Sequence, residues 1–225
     1  MNRIVLPELL DELPPQDPHA IRSRQDLLRV NGWMGNASRL ASAISDGNRK
    51  PPRNIVELGA GDGRTSLRVA ALTGWTNVSL TMVDQQNLLT ESTRRSFENL
   101  GWKVKVSQQD VTRFLADTPP PDLILTNLFL HHFKPPELAR LLAMVAECRC
   151  AFAACEPFRD PLALAATRLL WLIGCNHVTR HDAFVSVQAG FRDNEISASW
   201  NSNNNWRLTE KRSGLFSHLF LAEPV

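Results

Sequence analysis

The stretch at residues 55–67 reads IVELGAGDGRTSL and combines an apolar run, one glutamate and glycines at positions 59, 61 and 63. An apolar strand, a glycine loop and a helix in that order bring a ligand against exposed backbone N–H groups. The side chains around the glycines therefore decide which ligand the loop accepts.

Phosphate ligands fit this loop poorly. A P-loop needs a lysine followed by serine or threonine, and the stretch contains no lysine. A dinucleotide fingerprint that starts at Gly59 and Gly61 needs a third glycine at position 64, which is Arg64. Glu57 and Asp62 would repel a pyrophosphate in a partly desolvated site, whereas the same carboxylates suit a cation.

Two further acids follow apolar runs downstream of the loop. VSLTMVD ends in Asp84, where a carboxylate at the end of a strand can accept both hydroxyls of a ribose. KVKVSQQD ends in Asp110, where an acceptor would meet the exocyclic amine of an adenine. Glu57, Asp84 and Asp110 would then line one side of a cleft. A ligand with an adenosine part, a sulfonium and an α-ammonium group fits them, so the sequence predicts S-adenosylmethionine as the cofactor.

Two adjacent histidines follow the apolar run DLILTNL. A phenolic oxygen has a pKa near about 10, so its methylation benefits from a base, and either His131 or His132 stands where such a base belongs. We place His132 ahead of His131 as the catalytic residue. The alternative is that one of the pair only holds the loop by a hydrogen bond.

The elements that must position these residues alternate from about residue 53 onward. Short β-rich runs (NIVEL, VSLTMVD, KVKVSQQD, DLILTNL, AFAACE) alternate with helical stretches, and the runs are too apolar to be half exposed. This pattern predicts a mainly parallel sheet with helices on both faces. In the tail, two β-like runs flank Arg212-Ser213-Gly214, which predicts an antiparallel hairpin that closes the sheet. The tract NSNNN at 201–205 indicates a polar loop.

Residues 1–50 are predicted to form a separate helical lid over a second domain at 51–225. Ile21, Leu27, Leu28 and Trp33 are spaced for amphipathic helices. The apolar run at 162–175 predicts a buried or pocket-lining helix. Apolar bulk in these covering segments favours an aromatic or alkyl acceptor. The candidate acceptor-binding residues are Trp33, Met34, Phe129, Phe158, Trp171 and His181.

Composition excludes several other classes of protein. Lys plus Arg number 25 against 23 for Asp plus Glu, and no segment concentrates the basic residues as a nucleic-acid surface would. The run at 162–175 is shorter than the roughly 20 residues that cross a bilayer. The N-terminus carries acids and prolines where a signal peptide is apolar, and the cysteine spacing C-x-C-x4-C matches no common zinc site. We therefore expect a cytoplasmic protein with free thiols, no membrane span and no metal.

These motifs together resemble the class I S-adenosylmethionine-dependent methyltransferases from about residue 53 to the C-terminus. VELGAGDG looks like their first motif, TMVDQQ their second, SQQDV their third and PDLILTNLFLHHF their fourth. The resemblance implies a Rossmann-like, doubly wound α/β fold with a seven-stranded sheet that ends in an antiparallel hairpin. It also implies a set of cofactor-binding residues: Glu57, Gly59, Ala60, Gly61, Asp84, Gln85, Asp110, Val111 and Asn127.

Details of the motifs narrow the acceptor within this family. NLFLHHF is similar to the loop of small-molecule members such as those of quinone biosynthesis. PELLD and DLLRVNGWMG are similar to small methyltransferases that accompany bacterial polyketide synthases and modify phenolic or quinone lipids. The Asn/Asp-Pro-Pro-aromatic sequence of many amine-directed members is replaced by Asn127-Leu128-Phe129-Leu130. The carboxylate cluster of the metal-dependent catechol enzymes is not evident either.

The sequence thus predicts methyl transfer to a small, largely apolar, phenolic or quinone-like acceptor, at oxygen before carbon. One alternative is a C-methyltransferase of quinone type. The other is a non-catalytic protein that binds S-adenosylmethionine as a scaffold. The expected partner is a small-molecule acceptor, and a homodimer is left open.

Overall fold

A computed structural model describes residues 1–14, 16–45, 50–200 and 205–225. Its seven strands form one sheet with the order β3-β2-β1-β4-β5-β7-β6. They are β1 (Asn54–Leu58), β2 (Val78–Asp84), β3 (Trp102–Gln108), β4 (Leu123–Asn127), β5 (Ala151–Pro157), β6 (Trp206–Ser213) and β7 (Ser217–Pro224). The predicted sheet is confirmed. The predicted polar loop at 201–205 lies outside the described residues except for its last position.

Helices fill the connections between the strands, and two short 3₁₀ turns accompany them. The turns span Leu130–His132 and Leu170–Ile173. The helices are α1 (Leu9–Glu12), α2 (Pro18–Met34), α3 (Asn36–Ser45), α4 (Arg64–Thr73), α5 (Glu91–Asn99), α6 (Val111–Asp117), α7 (Pro135–Glu147), α8 (Pro161–Thr167), α9 (His177–Ala189) and α10 (Glu195–Ser199).

The first five strands pair in parallel, and the last two pair antiparallel to β5 and to each other. In β1, β4 and β5 nearly every residue is buried, because helices cover both faces of the sheet centre. Helices α3, α4 and α5 cover one face, and α6, α7 and α10 cover the other. Each face has its own hydrophobic core, so the doubly wound architecture is confirmed.

The N-terminal helices pack in two different places. Helix α3 contributes Leu40, Ala41 and Ile44 to the core on one face of the sheet. Helices α1 and α2 instead contact α9. The predicted boundary near residue 50 stays a prediction. The packing groups residues 1–34 with α8 and α9, and it groups α3 with the sheet.

Helix α2 buries a different face from the one that its apolar residues suggest. Ala20, Ser23 and Asp26 are buried, whereas Ile21 and Trp33 are exposed. The buried polar groups find partners on the α9 side: Thr179 donates to Ser23 Oγ at 2.9 Å, and the Asn176 backbone N–H donates to Asp26 Oδ2 at 2.8 Å. Hydrogen bonding therefore fixes the rotation of this helix.

The apolar run at 162–175 is not one helix, although about half of its residues line the cavity described below, as the pocket-lining prediction expects. It forms α8 and the 170–173 turn, which ends at Gly174 with a φ of 76°. Leu162, Leu169, Trp171 and Leu172 are each more than half exposed. Within the ranges that the structure describes, none of the helices combines the length and the apolar character that crossing a bilayer requires.

Candidate active site

A cavity of about 890 Å³ opens at the carboxyl ends of the parallel strands. Residues at or just after the carboxyl ends of β1, β2, β3 and β4 form its polar end, and α2, α8, the 170–173 turn and α9 form its apolar end. Ligands of open α/β sheets bind at this edge, next to the point where the strand order reverses. Here that point lies between β1 and β4.

Asp84 organises the polar end of the cavity. One carboxylate oxygen, Oδ2, accepts the Gly61 backbone N–H at 2.9 Å, and Oδ1 accepts that of Gln86 at 2.9 Å. Each oxygen keeps a further lone pair for a ligand hydroxyl. Asp84 thus ties the glycine loop to the end of β2 and presents its acceptors to the cavity.

Glu57 is the buried acid of the glycine motif, with only 2% of the residue exposed. Burial raises the pKa of Glu57 to about 8. Its Oε2 has no hydrogen-bond partner among the residues that the structure describes. A buried carboxylate that lines a cavity and has an open acceptor position fits a ligand with a positive charge, as the α-ammonium and sulfonium of S-adenosylmethionine provide.

The glycines of the loop serve different purposes. Gly59 has a φ of +67°, and a Cβ there would come within 2.2 Å of Phe129 Cδ2, so a side chain from the fourth motif occupies that space. Gly61 has a φ of +54°, and no atom lies within 4 Å of the position of its Cβ. A ligand in the cavity can therefore come close to the backbone of the loop at Gly61, which borders the cavity.

The remaining predicted cofactor residues also border the cavity. Asp110 caps α6 by accepting the backbone N–H of Thr112 at 2.8 Å, and the hydrogen bond from the Thr112 hydroxyl lowers the pKa of the Asp110 carboxyl. Asn127 accepts from Asn36 at 3.0 Å and donates to Thr65 at 3.3 Å. The structure brings together Glu57, Gly59, Ala60, Gly61, Asp84, Gln85, Asp110, Val111 and Asn127. Their role in binding stays a prediction.

Glu156, at the end of β5, shapes the loop that carries the histidines. Its fully buried carboxylate accepts the backbone N–H groups of Phe129 at 3.0 Å, Leu130 at 2.9 Å and His131 at 3.3 Å. Leu128, just before them, has a φ of 53°, which is rare for a branched residue. One carboxylate thus holds a strained turn at the cavity edge.

His131 lies between two carboxylates. Its Nδ1 is 2.8 Å from Glu156 Oε2, and its Nε2 is 3.3 Å from Glu8 Oε1. Burial alone would lower the pKa of His131, but the hydrogen bonds to Glu156 and Glu8 raise it to about 9. Burial would likewise raise the pKa of Glu8, whereas the hydrogen bond to His131 lowers it to about 2. We call Glu8, His131 and Glu156 the latch, because they join the N-terminal segment to the sheet.

His132 has a different environment although it is the next residue. Its ring lies 4.2 Å from the His131 ring, between centroids, and its Nδ1 is 3.6 Å from Asp11 Oδ2. Burial and the positive charge of His131 lower the pKa of His132. At neutral pH His132 is therefore the uncharged histidine of the pair, with Asp11 beside it at the cavity.

The same cluster is the place where described side chains could hold a metal. The ligand atoms of Glu8, His131 and His132 lie within 4.8 Å of one another. Both ring nitrogens of His131 already face carboxylates, however, and the Ser186 hydroxyl donates to Glu8. A divalent ion would have to displace the latch, so we retain the prediction that the site works without one.

The predicted acceptor-binding residues divide into two groups. Trp33, Met34 and Phe129 border the cavity at its apolar end, together with Leu27 and Leu28. Phe158, Trp171 and His181 are not among the residues that line it.

Each residue of the second group has a separate reason for its position. Phe158 stacks on His218 at 6.2 Å, because β5 pairs with the C-terminal hairpin at that point. Trp171 points outward from the 170–173 turn and is 58% exposed. His181 borders a smaller cavity with Arg168, Arg180 and Phe184.

Sequence reasoning misses four side chains of this site: Glu8, Asp11, Gln86 and Glu156. A signal existed for Glu156, since it ends the run AFAACE just as Asp84 and Asp110 end theirs. Gln86 borders the cavity, and its buried Oε1 has no partner within the described part of the chain. Glu8 and Asp11 reach the histidines from more than 100 residues away, and no local pattern indicates that contact.

The fold is the one that the resemblance to class I methyltransferases implies, and solved structures of methyltransferases share it. BpumL, a plantazolicin methyltransferase solved in complex with SAH, has a TM-score of 0.65 and 13% identity, with 93% of this chain and 92% of that chain covered. Human N-acetylserotonin methyltransferase in complex with SAM has a TM-score of 0.58 and 16% identity, with 95% of this chain and 61% of that one covered. An O-methyltransferase family protein from Burkholderia thailandensis has a TM-score of 0.61 and 16% identity, over 93% and 60%.

The family assignment rests on the sequence of the central region. Residues 55–149 match the model of a family described as a methyltransferase domain. They run from β1 through α7 and include the four motifs. No curated protein matches the chain. Residues 55–149 thus carry a methyltransferase domain, and the resemblance to class I S-adenosylmethionine-dependent methyltransferases that the motifs indicate is confirmed.

Proposed function

We propose that the protein methylates an oxygen of a small phenolic or quinol-like acceptor, with His132 as the base. The observation that carries the proposal is the position of His132. It borders the cavity that the acids of the polar end and the apolar residues of α2 also line, and both ring nitrogens of its neighbour His131 already face carboxylates. The similarity to O-methyltransferases of small acceptors supports the same reading.

When bound, S-adenosylmethionine supplies a methyl group on a carbon that its sulfonium activates. The chain has to bind the two reactants in line and exclude water. Glu57 and Asp84 are placed to hold the charged and ribose parts, which leaves the space near Phe129 and His132 for the acceptor oxygen.

His132 then accepts the acceptor's proton on a ring nitrogen. The resulting imidazolium is stabilised by the Asp11 carboxylate, whose Oδ2 is 3.6 Å from Nδ1. His131 cannot take this role at neutral pH, because its raised pKa keeps it protonated. The leucines and Met34 of α2 favour an acceptor whose remaining surface is apolar.

The test is a methyl-transfer screen over phenols, catechols and hydroquinones, with the product's methyl position assigned by NMR. We expect methyl ethers from acceptors with an apolar substituent, and no transfer to sugars or nucleotides. A methyl group on ring carbon would replace the proposal with the C-methyltransferase alternative. Binding of S-adenosylmethionine without turnover of any acceptor would instead favour the scaffold alternative.

The cellular compartment is part of the same proposal. All four cysteines are free thiols, and Cys150, Cys155 and Cys175 are buried. Free thiols persist in a reducing compartment, which supports a place in the cytoplasm.

A further inference from the structure

The apolar end of the cavity continues onto the outer surface. Trp33, Leu169 and Leu172 line the cavity and are nevertheless 69%, 56% and 61% exposed. Leu162 and Trp171, on the same short elements, are 58% exposed each. We call these five residues the apolar rim. Large exposed apolar groups that adjoin one another mark a surface that meets another apolar phase.

Arginines flank this rim. The Arg22 guanidinium donates to the Gly174 carbonyl at 3.2 Å, and that of Arg29 donates to the Ile173 carbonyl at 3.4 Å. Both therefore lie at the end of the turn that carries Trp171 and Leu172. Arg168 and Arg180, on the adjoining elements, are also exposed.

Few carboxylates oppose these positive charges at the rim. Asp26 pairs with both Arg22 and Arg29 but is itself buried, so one negative charge serves two arginines. Asp160 accepts the Leu162 backbone N–H and caps α8. Among the described residues, the four arginines are therefore opposed at these contacts by a single buried carboxylate, that of Asp26.

Tryptophan together with arginine around an apolar surface is the chemistry of a lipid interface. Indole rings sit at the level of the lipid headgroups, and arginines at the surface attract anionic lipids. A second copy of the chain would place the same arginines opposite one another, because a two-fold contact pairs a patch with itself. The charge pattern thus favours an anionic bilayer over a homodimer as the occupant of the rim.

We propose that the apolar rim and its arginines dock the protein on an anionic lipid surface, with the cavity opening against the bilayer. An apolar acceptor would then pass from lipid into the cavity without crossing water. This second step rests on the proposed function, whereas the docking does not, since it needs neither cofactor nor turnover.

The experiment is co-flotation of the full chain with vesicles of phosphatidylcholine alone or with about one third phosphatidylglycerol. We expect binding to the anionic vesicles that weakens in high salt, and weak binding to neutral vesicles. The rim variant Leu162→Ala/Trp171→Ala should lose at least about tenfold in partitioning. Neither of its positions lines the cavity, so its affinity for S-adenosylhomocysteine should be unchanged and reports that it is folded.

Two further variants test whether vesicle binding is specific to the rim and its arginines. Leu72→Ala/Leu215→Ala removes exposed leucines on α4 and at the hairpin turn, neither of which lines the cavity, and should bind vesicles like the wild type. Arg168→Gln/Arg180→Gln should lose about fivefold for each arginine on anionic vesicles only.

Three results would overturn the docking proposal. The first is no vesicle binding at either composition. The second is equal binding by the rim variant and the leucine control. The third is a dimer in sedimentation that dissociates in the rim variant, which would assign the rim to a second copy. Vesicle binding in a protein that methylates no phenol would leave docking intact and remove only the proposed acceptor.

Discussion

The two ends of the cavity are built in different ways. The polar end consists of residues that follow β1 to β4, so one continuous sheet fixes their positions through its register. The apolar end is assembled from α2 and from α8 to α9, which lie about 150 positions apart along the chain and share no strand. The polar end is thus a floor held by one sheet, and the apolar end is a separately attached cover.

Polar contacts join the parts of the cover to one another and to the loop after β4. Asp182 accepts the backbone N–H groups of Leu9 at 2.8 Å and Leu10 at 3.0 Å, and Asp26 accepts that of Asn176. Arg3 donates to the carbonyls of His131 at 3.1 Å and Phe133 at 2.9 Å. Polar groups released from such an interface can bind water instead, so we expect the cover to open at lower free-energy cost than the sheet.

The largest effect on turnover should come from substitution of His132, which borders the cavity near both of its ends. His132→Ala should reduce turnover by about 10²–10⁴-fold, because the acceptor loses its base. Affinity for S-adenosylhomocysteine, measured by calorimetry, should stay unchanged. The matched variant His131→Gln retains His132 as the base, so its turnover should fall much less. Equal, full activity in both variants would leave alignment of the reactants as the whole mechanism.

Substitutions at the polar end of the cavity should change cofactor affinity alone. Asp84→Ala should weaken binding of S-adenosylhomocysteine by about 1.5–3 kcal/mol, the range for hydrogen bonds to a charged group. Asp84→Asn keeps one acceptor and should lose less. Asp117→Ala, on the exposed side of α6, is the control. Unaltered affinity in a folded Asp84→Ala protein would remove Asp84 from the cofactor site.

The latch should make attachment of the cover depend on pH. The pKa of His131 is raised from 6.5 to about 9, so its contribution is complete below 6.5 and is lost as pH rises through 9. The pKa of Glu8 is lowered from 4.5 to about 2, so its contribution is complete above 4.5 and is lost as pH falls towards 2. The latch is thus strongest between about pH 4.5 and 6.5.

Limited proteolysis within residues 1–34 measures this dependence. We expect cleavage there to accelerate between pH 7 and 9.5, corrected for the protease's own pH profile on an unfolded substrate. In His131→Gln cleavage should be faster at pH 7 and should change less with pH. A wild-type rate that is flat over this interval contradicts the latch.

Cofactor binding should change the protonation state of Glu57. Because burial raises its pKa to about 8, Glu57 is mostly protonated at pH 7 in the free protein, and a bound cation favours the ionised form. Cofactor binding should therefore release close to one proton, seen as a difference in binding enthalpy between phosphate and Tris buffers. Glu57→Gln should abolish that difference, and its persistence in the variant would assign the proton elsewhere.

Metal removal should have the smallest effect. The ligand atoms of Glu8, His131 and His132 are close enough to bind an ion but already pair with one another or with neighbouring carboxylates. Dialysis against a chelator should leave turnover and the unfolding temperature within error. A loss that zinc or manganese restores would show that the latch is a metal site.

The sheet and the cover also differ in how well they can be predicted from the sequence. The β-rich runs, their alternation with helices and the C-terminal hairpin are readable because apolar runs and turn residues are local signals. The rotation of α2 is not readable, since Ser23 and Asp26 are buried for partners on α9 that periodicity cannot reveal. The 170–173 turn likewise exposes Trp171, although its composition suggests a buried helix.

The sequence by itself determined the polar end, since residues that end parallel strands must meet at one edge of the sheet, and Glu57, Asp84 and Asp110 do so. Only the tertiary structure decided the surroundings of the two histidines. Both rings border the cavity and their centroids lie 4.2 Å apart, but His131 meets Glu156 and Glu8 whereas His132 meets Asp11. Those carboxylates come from distant parts of the chain, and their charges, rather than any pattern near position 131, set which ring is neutral at pH 7.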